Sequence, residues 1–279
     1  MTRYTDKTIV IAGASDGIGA ELARQLAPER PRLVLAARTQ AGLEAVAAQC
    51  RAAGAEAIVV PTDVGEREQC RRLIGTAVQS FGGIDLLVNN VGVSTHASLA
   101  DALDGGMFER LLRVNLMGSA WCTRDALPSL QQRGGQILAV CSLAGRLGIA
   151  QRTAYCASKF AQDGFFQALR AELQGSGVSV TIAYPGLVVT GFAAHSLDAE
   201  GRPFGQAVVR RDRSMPAPEC AARMVAGLRK RQAEIVMTGR GRLALWLKLL
   251  SPELVDRMTR STIKRAKQGA AESGVGPAA

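Results

Sequence analysis

Seven short apolar runs alternate with longer segments of helical period, and this alternation constrains the fold more than any other feature of the 279-residue sequence. The runs cover residues 8–12, 32–37, 55–60, 84–88, 136–141, 178–183 and 234–237. Most stop at Gly, Pro, Asn or Ser, and they read as buried strands. Helices are predicted over residues 20–27, 40–53, 66–81, about 105–132, through Tyr155 to about Leu173, and from Pro216 to about Gln232. Gly54, Gly82 and Gly175 stand where three of them should stop. Strand–helix alternation of this kind predicts an α/β fold: a Rossmann-type doubly wound parallel sheet of about seven strands, helices on both faces. No repeat or low-complexity linker interrupts it, so one domain is expected.

The first strand runs into Gly13-Ala14-Ser15-Asp16-Gly17-Ile18-Gly19 and then a helix. In that context glycines let the backbone approach a pyrophosphate, and the helix N-terminus offers free N–H groups and a positive dipole end. Arg38 and Thr39 follow the second strand. An acidic residue there would hold a ribose 2′-hydroxyl, whereas an arginine accommodates a 2′-phosphate. Further along, Tyr155 and Lys159 are four apart, on one helix face. An ammonium beside a phenol lowers the phenol's pKa and makes Tyr155 usable as a proton donor or acceptor. Such a pair can equally be an ordinary surface pair, and its weight comes from its neighbours. Ser142 places a hydroxyl at a strand's carboxyl end, where open α/β sheets bind ligands. Asn115 falls inside a predicted helix, where its side chain competes for backbone hydrogen bonds.

Charge is unevenly placed. Residues 1–200 carry 18 basic and 18 acidic side chains, residues 201–279 carry 16 and 6, so the C-terminal quarter holds the whole formal charge of +10. The six cysteines form no C-x-x-C pair and read as reduced thiols. His96 and His195 are too isolated to suggest a metal site, and no apolar run approaches a membrane span. The first residues lead straight into a strand, leaving no room for a signal peptide; a cytoplasmic protein is expected.

Five marks in order make the sequence resemble the classical short-chain dehydrogenase/reductase family over roughly residues 7–240. They are Gly13-x-x-x-Gly17-x-Gly19, Asn89-Asn90-Val91-Gly92, Asn115, Ser142 ahead of Tyr155-x-x-x-Lys159, and Pro185-Gly186 with Thr190. The resemblance implies an enzyme interconverting an alcohol and a ketone or aldehyde. It implies Tyr155 as general acid/base and Lys159 lowering its pKa while binding the nicotinamide ribose. Ser142 would bind the substrate oxygen, and Asn115 would hold a water linking Lys159 to solvent. Asp63 would contact adenine with Val64 beside it, Asn89 would lie near the adenosine ribose, and Val188 and Thr190 would fix the carboxamide. Ala12 and Val91 depart from the family pattern without touching chemistry, whereas Asp16 stands where NADP-using relatives often carry a basic residue. NADP is expected over NAD on the strength of Arg38, with Ser15 and Thr39 as hydroxyl donors.

By the same resemblance a catalytic domain covers residues 1–240, with a substrate lid over about 187–215 containing Phe192, His195, Phe204, Arg202, Arg210, Arg211 and Arg213. A C-terminal helical extension is expected over 241–268 and an unstructured tail over 269–279. Leu243, Trp246, Leu247, Leu250 and Leu254 share a helical face among basic residues, and Ser251-Pro252 reads as the cap of a further helix. This stretch fits packing on the lid or a partner subunit, or a peripheral membrane contact. A sizeable hydrophobic substrate is expected, as in hydroxysteroid or retinol dehydrogenase relatives. A 3-oxoacyl reductase acting on acyl-CoA or acyl-carrier protein, and a non-catalytic dinucleotide-binding regulator, are the alternatives. A homodimer or homotetramer through the Asn115 and Tyr155 helices is expected from the family.

Overall fold

The computed structural model describes residues 4–100, 106–192, 196–202 and 214–259. Its strands are Thr8–Ala12 (β1), Arg32–Ala37 (β2), Glu56–Pro61 (β3), Leu86–Asn89 (β4), Gln136–Val140 (β5), Ser179–Tyr184 (β6), Val188–Val189 (β7), Met215–Pro216 (β8) and Glu234–Val236 (β9). Helices span Gly17–Leu26 (α1), Gln40–Ala52 (α2), Arg67–Phe81 (α3), Gly106–Leu111 (α4), Gly118–Arg133 (α5), Thr153–Glu172 (α6), Ala217–Arg229 (α7) and Gly239–Leu250 (α8). Residues 252–259 are helical as well.

Seven strands form one parallel sheet in the order β3-β2-β1-β4-β5-β6-β9. The order reverses between β1 and β4, which opens a crevice at the carboxyl ends of the strands, where such sheets bind ligands. Every residue of β1 is buried, because alternate side chains feed two cores. Ile9 and Ile11 pack with Leu22, Leu26, Val46 and Met224 of α1, α2 and α7. Val10 packs with Leu73, Leu130 and Phe166 of α3, α5 and α6 on the other face. Each fully buried side chain of this kind contributes about 1.5–3 kcal/mol relative to exposure.

Three features depart from the sequence reading. The helix predicted over 105–132 is broken by a π-helical stretch, Leu112–Met117, that holds Asn115. β7 and β8 pair with each other beside the main sheet and are too short to read as strands. The apolar stripe of α8 faces outward: Leu243, Trp246 and Leu250 are exposed and Leu249 joins them. What holds α8 is its other side, where Lys248 Nζ donates to the Arg146 carbonyl (2.6 Å) and lies over the Phe160 ring. The expected cap does form, since Ser251 Oγ accepts from the Leu254 N–H (3.3 Å). His195, Phe204, Arg210, Arg211, Arg213 and the tail expected over 269–279 lie outside the described residues.

Candidate active site

The glycine loop closes tightly on the end of β1. The N–H groups of Gly13 and Ala14 both donate to the Ala36 carbonyl (2.7 and 3.1 Å), and Asn90 Nδ2 donates to the Gly13 carbonyl (2.8 Å). Gly13 and Gly17 have φ of +85° and +57°, which glycine adopts at no steric cost. At Gly19 the constraint is space: a Cβ would sit 2.0 Å from the Gly13 carbonyl oxygen. Asp16, in the N-cap position of α1, makes no side-chain cap bond, so first-turn N–H groups are left for another partner. Open donors, the positive end of the helix dipole and a cradle without side chains fit a dinucleotide's pyrophosphate. Ile18 is partly buried at the start of α1.

Around this loop the sequence-predicted residues divide. Arg38 is exposed at the end of β2, with no carboxylate partner among the described residues. Ser15 packs on Gly42 of α2, and Thr39 takes the N-cap position of that helix without a side-chain bond. Thr190 lies against Gly17, which brings the segment after Pro185 and Gly186 onto the loop. Pro185 accepts from the Leu143 N–H (3.0 Å), joining that segment to the one after Ser142. Val188 is in β7. Asp63 spends Oδ1 on the Gly65 N–H (2.8 Å). Asn89 and Val64 turn inward instead: Asn89 Nδ2 donates to Thr123 Oγ1 (3.0 Å), and Val64 is buried on Gly118 of α5. Gly92 lies close to Asn115 Oδ1 and Lys159 Nζ.

Asn115, Ser142, Tyr155 and Lys159 come together at the carboxyl end of the sheet. Asn115 is fully buried; its Oδ1 accepts from the Val93 N–H (2.7 Å), while Nδ2 donates to the Val93 carbonyl (2.9 Å) and Ser158 Oγ (2.8 Å). Ser158 Oγ donates in turn to the Tyr155 carbonyl (2.8 Å). The π-helical stretch is therefore held by its side chain rather than by local propensity, as at many functional sites. Ser142 Oγ accepts from the Ala144 N–H (3.1 Å), and its hydroxyl acts to lower the pKa of the Tyr155 phenol. The Tyr155 ring faces Phe192 at 6.3 Å.

Electrostatics here correct one expectation. Burial pushes the Tyr155 phenol up to about 12, against the Ser142 hydroxyl and the Arg152 charge, which lower it. Lys159 does not pull the phenol down in this geometry. The lysine is 2% exposed; its ammonium donates to the Val140 carbonyl (3.1 Å) and Gln162 Oε1 (2.8 Å), and burial lowers its own pKa.

Several neighbours escaped the sequence reading. Gln162 lies one turn beyond Lys159, and Ser119 lies four residues after Asn115; both spacings were readable. Arg152 Nη2 meets His96 Nε2 at 2.8 Å, and burial followed by that charge holds His96 near 4, neutral. They border an apolar wall of Ala97, Met107, Leu197 and Tyr155. Arg202, one of the lid arginines, is spent on Asp198 (3.2 Å) and Glu200 (2.9 Å) and is solvated. A cavity of about 280 Å³ runs between residues 148–156 and the 252–259 helix, lined by Ile149, Thr153, Cys156 and Asp256.

The sequence profile described as short chain dehydrogenase matches residues 7–201. The chain is 34% identical over 254 residues to the 11-beta-hydroxysteroid dehydrogenase-like 4A of Arabidopsis thaliana, covering 91% of this chain and 83% of that one. It is 37% identical over 189 residues to the ketoacyl reductase HetN of a Nostoc strain, covering 67% and 66%. A short-chain dehydrogenase/reductase of Burkholderia phymatum, solved in complex with NAD, superposes with a TM-score of 0.81 at 26% identity, over 91% of this chain and 96% of that one. A metagenomic short-chain oxidoreductase solved with NADP gives 0.70 at 28% identity, over 84% and 97%.

Proposed function

The chain belongs to the short-chain dehydrogenase family, an oxidoreductase acting on CH–OH groups, and on that premise we propose that it is an NADP-dependent enzyme that interconverts an alcohol and a ketone or aldehyde, with Tyr155 as general acid/base. One observation carries the reading: the Tyr155 phenol is buried at the carboxyl end of the sheet, where the Ser142 hydroxyl acts to lower its pKa.

The dinucleotide, when bound, supplies or accepts the hydride. The chain's own residues do the rest. Gly13, Gly17 and Gly19 admit its phosphates, and the open N–H groups of α1 neutralise them. Arg38 distinguishes a 2′-phosphate from a 2′-hydroxyl. Ser142 holds the substrate oxygen, and Tyr155 gives it a proton during reduction or takes one during oxidation. A phenol raised by burial is a poor base alone; the Ser142 hydroxyl and the Arg152 charge act to lower it, and Lys159, held on Val140 and Gln162, is left to bind the nicotinamide ribose. Asn115 and Ser158 fix the helix that carries both groups.

The substrate is sizeable and hydrophobic in this reading. Ala97, Met107, Leu197 and Ile149 pack in one apolar cluster with Tyr155, and the lid arginine that is described, Arg202, is paired with acids rather than open to an acyl-CoA phosphate. Residues 241–268 form a C-terminal extension of the catalytic domain in this reading, of which residues 241–259 are described. Trp246, Leu249 and Leu250 are 70, 78 and 82% exposed beside Arg240 and Arg242, which suits a peripheral contact with an anionic membrane. Among the described residues no helix is long and apolar enough to cross one. Co-sedimentation with phosphatidylserine vesicles tests the contact, and absence of binding at low salt refutes it. Phe160 and Met117, exposed on the α6 and π-helical surfaces, suit burial between subunits of a homodimer or homotetramer.

Titration with NADPH and NADH by nicotinamide fluorescence tests the cofactor. Wild type should prefer NADPH, and Arg38→Asp should reverse the preference. Equal or tighter NADH binding by wild type would mean that Asp16 outweighs Arg38.

A further inference from the structure

Lys159 is almost fully buried, and a buried ammonium needs its donors satisfied. It has three N–H groups. One goes to the Val140 carbonyl at 3.1 Å and one to Gln162 Oε1 at 2.8 Å. Gln162 is itself fully buried on α6, one turn beyond the lysine. Its other end is equally committed, with Nε2 donating to Ser119 Oγ at 3.0 Å. The Ser119 hydroxyl then donates to the Asn115 carbonyl at 3.1 Å. Lysine, glutamine, serine and asparagine thus form one unbroken chain of hydrogen bonds from α6 to the π-helical stretch. An amide at position 162 contributes little to packing that an apolar side chain would not. What an apolar side chain lacks is an acceptor for the ammonium.

We propose that Gln162 is a positioning residue for Lys159: held by Ser119, it keeps the lysine charged and fixed, with one N–H left for the nicotinamide ribose. This rests on the reading of Lys159 as a cofactor ligand. A network whose members are all satisfied defines one arrangement, whereas loss of one acceptor leaves a buried charge short of a partner. The Gln162 amide does not titrate, so it orients the ammonium without competing for its proton. Its removal lowers the Lys159 pKa, because the charged form loses stabilisation; a carboxylate in its place raises it.

The test reads binding and needs no substrate. NADPH affinity is measured by nicotinamide fluorescence between about pH 7.5 and 10.5, for wild type, Gln162→Leu, Gln162→Glu and Lys159→Met. Affinity should weaken as pH rises through the Lys159 pKa, and Lys159→Met should abolish that limb. Gln162→Leu should move the midpoint down by about one pH unit and weaken binding about fivefold at the low end of the range. Gln162→Glu should move the midpoint up. A merely structural glutamine would lower the melting temperature while leaving the midpoint where it is. Coincident midpoints in all three lysine-containing proteins, or a limb that survives in Lys159→Met, would overturn the proposal. Should Gln162→Leu fail to fold, the near-isosteric Gln162→Glu carries the test alone. Wild type that binds neither NADPH nor NADH would overturn the cofactor reading, and this inference with it.

Discussion

Replacing Gly19 by alanine should disable the cofactor loop while leaving a folded protein. The added Cβ would stand 2.0 Å from the Gly13 carbonyl oxygen and 2.7 Å from Asn90 Nδ2. Carbon and oxygen ordinarily approach no closer than about 3.3 Å, so the loop must open by about 1.3 Å. Overpacking of that kind costs about 1–3 kcal/mol. Loss of the Asn90–Gly13 hydrogen bond adds about 1 kcal/mol. A total of about 2–4 kcal/mol in a chain of this size lowers the melting temperature by roughly 5–15 °C. Two displaced N–H donors to a phosphate, at about 1.5 kcal/mol each, weaken NADPH binding about 100-fold. Gly75→Ala is the control: that glycine is exposed in α3, and nothing lies within 4 Å of the added carbon. Alanine there should stabilise by about 0.5–1 kcal/mol and leave NADPH affinity unchanged. Fluorescence titration and thermal melts on the three proteins decide the matter. Wild-type NADPH affinity in Gly19→Ala would refute the reasoning.

Other expectations follow from single contacts. Ser142→Ala removes the hydroxyl that acts to lower the Tyr155 phenol's pKa, so turnover should fall by about 10–100-fold with cofactor affinity intact, as steady-state kinetics would show. His96, near 4 when folded and about 6.5 when unfolded, is neutral in the folded protein, and the unfolded chain binds the extra proton between those values. Its contribution is therefore present above about pH 6.5 and lost as pH falls through about 4; urea melts across that window should show a shallower pH dependence in His96→Gln. Asp163 is buried, pairs with Arg146 Nε at 2.9 Å and accepts from the Tyr184 hydroxyl at 2.6 Å. Asp163→Ala should cost about 3–5 kcal/mol, read from the midpoint of urea unfolding.

Much of the fold was legible because its signals are local. The run 8–12 is β1 residue for residue, and Gly13, Gly17 and Gly19 stand where a strand must turn into a helix. Ser142, Tyr155 and Lys159 were readable as a strand end and a helix face. What escaped depends on contacts between distant residues. The Gln162–Ser119 bond joins residues 43 apart, and no helical period reveals an amide facing another helix. The inward turn of Asn89 depends on Thr123, 34 residues away. Burial of the phenol, which outweighs every charge near it, exists only once α6 is docked. The C-terminal stripe reads as amphipathic, but amphipathicity does not say which face meets the domain; Lys248 reaching Arg146 decides that.

The central claim is that Tyr155 moves the proton. NADPH oxidation should be followed at pH 7 with a panel of aliphatic, aromatic and steroid ketones, for wild type and Tyr155→Phe, alongside NADPH titrations of both. The account predicts turnover of at least one ketone by wild type. Tyr155→Phe should be slower by about 100-fold or more, with unchanged NADPH affinity. Turnover by Tyr155→Phe at the wild-type rate would contradict it.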